Sequence, residues 1–246
     1  MTPVSCSGPA ENGDAYPKAA IIDQLDILQS NPSLIAEATR LLESMGFQVD
    51  VWQGADITVD FYRRIASLGY RLIVFRVHSG VLLELEGDKV VELPNTYFFT
   101  AEKYVSSRHV PDQLADKVSY GIMEENFPRV FAVNSEFFRT AEGDFNGAVI
   151  LAMGCESYRY DDLPRAFLEK GASAYIGWNH VVTLGHVDKA ILSLLQNLCA
   201  GGMTLEQSVT ATMAAIGHDP YFDTYLKYCP ETSGGLRVSE LVINRE

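Results

Sequence analysis

With 246 residues, the chain can form one large α/β domain or two small ones, and its 47% apolar residues are enough for a full core. A net charge of −13 argues against nucleic-acid binding, which needs a basic face, and is compatible with basic peptide or protein substrates. No apolar run reaches the roughly 18 residues of a membrane span, so no membrane partner is expected.

The first sixteen or so residues, Met1 to Tyr16, are rich in Ser, Pro, Gly and Asn and lack the apolar core of a signal peptide. Residues 1–17 are read as a flexible leader and 18–246 as a single domain. Cys6, Cys155, Cys199 and Cys229 are widely spaced with no CxxC, so a reducing, cytoplasmic setting without a disulfide framework is expected.

Lys18–Asp23 is a short apolar run that ends in a carboxylate and reads as a first parallel strand. Asn31-Pro32 opens a helix, because Asn caps well and Pro suits the first helical turn. Leu34, Ile35, Ala38, Leu41, Leu42 and Met45 recur at helical spacing up to Gly46. Phe47–Trp52 alternates as a second strand. Thr58 caps another helix, which stops at Gly69. Tyr70–Val77 then reads as a strand buried on both faces. This β-α-β-α-β order predicts a mainly parallel sheet with helices on both faces.

From about 81 to 139 the pattern changes, and the segment reads as an insertion. Val81 to Leu93 is a hairpin turning at Gly87-Asp88. Tyr97–Thr100 is a further β run, Pro111–Val118 a short helix and Arg129–Val133 a strand. The parallel pattern resumes at Gly147–Met153, an unbroken apolar run followed by Gly154-Cys155-Glu156-Ser157. A helix from Asp161-Asp162 to Gly171 and a strand at Ala172–Ile176 follow, breaking at Gly177-Trp178-Asn179. Two further helices come next, the second with a Thr204/Gln207 capping box. Leu236–Ile243 alternates and reads as a final edge strand.

In open α/β sheets, chemistry collects beyond the carboxyl ends of the strands. One buried strand delivers His78 to that rim and another delivers Cys155. Neighbouring strands lie about 4.8 Å apart, so adjacency would bring a thiol and an imidazole within reach of each other. A lone cysteine after a strand is more often an inert buried thiol; the histidine in the equivalent place on another strand favours a catalytic pair. Ser157 lacks the Gly-x-Ser-x-Gly setting of a serine hydrolase. His180, His186 and Asp188 are close in sequence, but no further strong ligand follows at suitable spacing, so neither metal nor cofactor is expected. The loop after Asp23 has no glycine to cradle a phosphate, which argues against a flavodoxin-like nucleotide binder.

Strand–His78, strand–Gly154-Cys155-Glu156-Ser157 and Ala166-Phe167-Leu168 through Gly171-Ala172 to Trp178 together resemble the caspase–hemoglobinase fold of cysteine peptidases. That clan includes caspases, gingipains, legumains, separases and CHAT-type proteins. The resemblance covers roughly residues 18–215 and implies a three-layer α/β sandwich. It also implies a cysteine endopeptidase with a His78–Cys155 dyad, an oxyanion hole from backbone N–H groups near Ser79-Gly80 and at Cys155, and a peptide or protein substrate. The family usually places Gly directly after the histidine, whereas here Ser79 stands between His78 and Gly80. Members of the clan carry a substrate-reading charge just after the first strand. Asp23 would then select Arg or Lys, with Trp178 and, more weakly, Asn179 lining the same pocket; otherwise Asp23 is an ordinary loop or capping residue and Trp178 fills the core. The alternative from another class is a catalytically inactive module of the same fold that binds a protein partner through this rim.

Overall fold

The structure is a computed structural model that describes residues 16–124, 126–200 and 202–242. Most of the expected leader, and the end of the expected edge strand at Ile243, lie outside the described residues.

The central sheet is built from β1 (Lys18–Asp23), β2 (Gln48–Gln53), β3 (Tyr70–Arg76), β8 (Val149–Ala152), β9 (Ala174–Trp178) and β10 (Leu226–Cys229) in the order β10-β9-β8-β3-β1-β2. All neighbours are parallel except β10, which runs antiparallel to β9. The inner strands are apolar along their middles because both faces are covered, with charge confined to Lys18 and Asp23 at the ends of β1 and to Arg71 and Arg76 in β3. Ala19, Ile21, Leu72, Val74, Leu151 and Ile176 pack on one side beneath α1 (Pro32–Ser44), α6 (Leu184–Cys199) and α7 (Leu205–Ile216). Ala20, Ile22, Ile73, Phe75, Ile150 and Tyr175 pack on the other beneath α2 (Val59–Arg64), α4 (Ser135–Arg139) and α5 (Asp162–Glu169). The helix starts follow local chemistry. Asn31 Oδ1 accepts the Leu34 N–H, Thr58 Oγ1 accepts that of Phe61, and Thr204 with Gln207 forms the expected capping box.

The segment between the histidine and cysteine strands folds as a second, antiparallel sheet ordered β4-β5-β7-β6. It comprises β4 (Ser79–Glu86), β5 (Lys89–Lys103), β6 (Val118–Gly121) and β7 (Val130–Asn134), with α3 (Val110–Leu114) between β5 and β6. Tyr97–Thr100 is therefore the second half of the long β5 rather than a separate strand. The helix expected over Pro111–Val118 is shorter, because Val118 already pairs with Val133 in β6. The inward face of this sheet supplies Phe98, Phe131 and Val133 to the core under α4 and α5, where Phe98, Phe138 and Phe167 pack with ring centroids 4.7–6.2 Å apart.

The tail departs from expectation. Val238–Leu241 is a 3-10 turn, not an edge strand. The free edge of β9 is already taken by β10, and Val238 and Leu241, three apart, both bury against the α6 side of the core.

Candidate active site

β3 and β8 are neighbouring parallel strands whose last paired residues are Phe75 and Ala152, and the Met153 N–H still donates to the Phe75 carbonyl at 2.8 Å. The same offset in sequence number separates His78 from Cys155. Both residues therefore leave adjacent strands at one level, on the carboxyl rim where the sequence places them.

The two exits also touch. A Cβ added to Gly154 would fall 2.7 Å from the Val77 carbonyl oxygen, so only glycine lets the cysteine segment lie this close to the histidine strand. Ser79 Oγ donates to the Cys155 carbonyl at 2.5 Å. Glu156 adopts a left-handed φ of 56°, held by its N–H to the His180 carbonyl (3.0 Å) and by its carboxylate, which accepts the Val81 N–H at 3.3 Å. Beyond it, Ser157 Oγ donates to the Ala152 carbonyl (2.7 Å) and accepts the Trp178 N–H (3.0 Å), bracing β8 against β9.

No hydrogen bond joins the His78 ring to the Cys155 thiol. The thiol is half-buried and donates to the Val182 carbonyl at 3.4 Å, while the His78 ring lies beside Phe99. Burial, reinforced by the Arg76 charge, pushes the His78 ring down to about 4. Burial also pushes the Cys155 thiol up, and the nearby Glu156 and Asp219 carboxylates act in the same direction. At neutral pH the resting pair is a neutral imidazole and a protonated thiol.

The backbone donors follow from the strand pairing. Phe99 N–H donates to the His78 carbonyl, so the next pair, Ser79 opposite Phe98, is the wide, non-bonded kind in an antiparallel ladder. The Ser79 N–H therefore faces away from β5, on the side where Val81 N–H reaches Glu156, and the Gly80 N–H faces β5. The Cys155 N–H has no hydrogen-bond partner among the described residues. Two amides, those of Ser79 and Cys155, are thus left without a partner among the described residues, and the Ser79 side chain itself reaches the Cys155 carbonyl.

The expected substrate-reading residues sit elsewhere. Asp23 is fully buried; its Oδ1 accepts Arg76 Nη1 at 2.7 Å and its Oδ2 accepts Gln53 Nε2 at 3.3 Å. The equally buried Arg76 also binds Asp188, Nε to Oδ1 at 2.7 Å. Asp23 is therefore one arm of an internal Asp–Arg–Asp cluster, with no face open to a substrate. Trp178 is wholly buried in the core beside His186. Asn179 braces a turn, its Oδ1 accepting the Tyr225 N–H at 2.9 Å. His186 is buried with Nε2 against the Gly217 carbonyl, whereas His180 is exposed, so these two and Asp188 do not converge. Sequence reasoning missed Gln24, whose side chain binds the His78 N–H, and Asp219, which accepts Thr183 N–H and Oγ1 beside the thiol segment.

No protein-family model matches the sequence, and no curated protein matches it. Among solved structures, the chain is similar to the Arg-specific cysteine proteinase gingipain R, with a TM-score of 0.55 at 11% identity. The match covers 91% of this chain and 48% of that one, so the chain spans about half the length of the gingipain chain. At that identity the likeness is one of fold, and the fold is the caspase–hemoglobinase fold.

Proposed function

We propose that this protein is a cysteine peptidase in which Cys155 is the nucleophile and His78 the general base and acid. The observation that carries this reading is the level emergence of His78 and Cys155 from adjacent parallel strands, with the Ser79 and Cys155 amides left without partners among the described residues.

Because the resting pair is neutral, attack couples bond formation to proton transfer. Sγ bonds to the scissile carbonyl carbon as the thiol proton passes to His78. The carbonyl oxygen becomes an oxyanion facing the N–H groups of Cys155 and Ser79, donors fixed before the charge appears. Collapse breaks the C–N bond while His78 returns the proton to the leaving amine. Water then attacks the acyl-enzyme as His78 takes its proton, and collapse breaks the C–S bond while His78 returns that proton to Sγ, releasing the acid product and restoring the neutral pair.

Ser79 fits this scheme in place of the family's glycine. The donor is a backbone N–H that either residue supplies, and Ser79 occupies ordinary extended backbone in β4. Gly80, whose N–H faces β5, is not a donor in this scheme. Asp23 does not supply a basic-residue pocket, because its carboxylate is bound by Arg76.

A second reading, a partner-binding module of the same fold, is favoured by one observation. The thiol is hydrogen-bonded to Val182 rather than to His78, and its ionisation is disfavoured. In apo enzymes catalytic hydrogen bonds often tighten only with substrate, so that contact alone does not remove the peptidase reading. A panel of fluorogenic peptides varied at the residue before the scissile bond, run beside Cys155→Ala and His78→Ala, separates the two. Cleavage abolished in both variants supports the peptidase. Silence across the panel, with no labelling of Cys155 by a peptidyl alkylating inhibitor, supports the binding module.

A further inference from the structure

The chain passes from the central sheet to the second sheet at His78, and the hydrogen bonding there is irregular in a specific way. By the register of β4 and β5, His78 stands opposite Phe99 in a bonded pair, which would exchange two hydrogen bonds. Only one is made, from Phe99 N–H to the His78 carbonyl at 2.9 Å. Both ends of the missing rung are capped by side chains instead. The Gln24 Oε1 accepts the His78 N–H at 2.8 Å, and the Tyr62 hydroxyl donates to the Phe99 carbonyl at 3.1 Å.

Gln24 and Tyr62 are both wholly buried, so each cap replaces a bond that would otherwise be lost without water to compensate. The Gln24 amide also uses its other end. Its Nε2 donates to the Thr100 carbonyl at 3.2 Å and points to Met123 Sδ at 3.1 Å, so one side chain ties the end of β1 to the histidine exit, to β5 and to the loop after β6.

We propose that Gln24, acting with Tyr62, holds the His78–Phe99 rung open and is a positioning residue for His78. With the rung closed, His78 would follow β5 as the first residue of the second sheet. With it open, His78 continues the line of β3, level with Cys155 on β8. Gln24 touches the backbone of His78, not the reacting atoms, so its effect is on where the imidazole stands. The proposal rests on the peptidase reading for its consequence on turnover, whereas the rung itself does not.

The test is a double-mutant cycle of Gln24→Leu and Tyr62→Phe in the full chain. It reads denaturant midpoint, the amide and ring resonances of His78, and peptide cleavage. Each single variant exposes one half of the rung without a partner and should lower the midpoint. In the double variant the freed N–H and carbonyl can pair with each other, so its midpoint should lie above the additive expectation. His78 resonances should nevertheless stay displaced, and kcat should fall by about 100-fold with KM little changed, the scale expected for a misplacement of about 1 Å. A merely structural role predicts instead that turnover recovers along with stability. Additive midpoints together with unshifted His78 resonances would overturn the proposal. If wild-type protein cleaves nothing, the peptidase reading fails, and the midpoints and resonances still decide the rung.

Discussion

The Ser79 hydroxyl donates to the Cys155 carbonyl at 2.5 Å, tying the residue after the histidine to the proposed nucleophile. Glycine at this position would have no such tie. The Cys155 carbonyl belongs to the peptide whose N–H, on Glu156, is held by the His180 carbonyl. The peptide between Cys155 and Glu156 is therefore fixed at both ends, from β4 and from the loop after β9.

Ser79→Ala should then lower turnover by about fivefold while KM changes little, since the lost hydrogen bond, worth about 1 kcal/mol, positions Cys155 rather than the substrate. Ser79→Gly should cost at least as much, because it also loosens the backbone that carries the proposed oxyanion donor. Steady-state kinetics on one cleaved peptide check both. A gain of activity in Ser79→Gly would mean that the hydroxyl obstructs the site rather than bracing it.

The buried Asp23–Arg76–Asp188 cluster makes a prediction about stability and specificity together. Removing one partner of a buried ion pair typically costs about 3–5 kcal/mol; Asp188 remains on Arg76, so Asp23→Asn should fall toward the lower end. Denaturant unfolding measures this loss. The preference for the residue before the scissile bond should not change, since Asp23 does not reach the substrate. Loss of an Arg or Lys preference in Asp23→Asn, at unchanged stability, would return Asp23 to the substrate pocket.

Much of this arrangement is legible in the sequence, for identifiable reasons. β8 and the middle of β3 (residues 72–75) are apolar because both faces are covered, so their ends, and with them His78 and Cys155, can be read directly. Asn31, Thr58 and Thr204 announce their helices through local chemistry that needs no tertiary partner. The fate of Asp23 is different, because its partner is set by register. Asp23 stands opposite Arg76 only once β1 lies beside β3. Gln24 reaches the His78 amide across 54 positions of sequence, with no pattern to mark it. Leu226–Cys229 escapes notice because a four-residue edge strand with one well-buried residue carries no periodic signal.

The ionisation of the pair has a clear pH signature. A thiol pushed above its ordinary range loses its proton later than a free cysteine, and an imidazole titrating at about 4 carries no charge to stabilise a thiolate at neutral pH. Alkylation of Cys155 by iodoacetamide should therefore rise steadily with pH toward and beyond 9, the reference value for a thiol. A thiolate–imidazolium pair would instead give a plateau through the neutral range. Stability should show the matching sign. His78 binds its proton less readily folded than at the unfolded reference of 6.5, so its contribution is fully present above that value and is lost as pH falls toward 4. Replacing His78 by Gln should flatten the stability curve across that window.

Glu156 links backbone strain, the second sheet and the thiol, and Glu156→Gln separates these roles. Its carboxylate accepts the Val81 N–H and contributes to raising the Cys155 thiol. Glutamine keeps an acceptor for Val81 and removes the charge, so the fold should be nearly unchanged and the thiol should ionise at lower pH. Alkylation of Cys155 at a fixed, mildly alkaline pH should accelerate about threefold to tenfold, which corresponds to about half to one pKa unit of relief. Glu156→Gly is the complementary variant. It relaxes a φ of 56°, which costs a non-glycine residue about 1 kcal/mol, but it releases Val81 and frees the turn after Cys155. Its thiol should react faster for the same electrostatic reason, while peptide turnover drops as the Cys155 N–H loses its fixed direction. Faster alkylation with slower turnover would place the value of Glu156 in geometry, held at some expense to thiol acidity. If alkylation in Glu156→Gln is no faster than in wild type, burial alone sets the acidity of Cys155 and the carboxylate's role reduces to the Val81 contact.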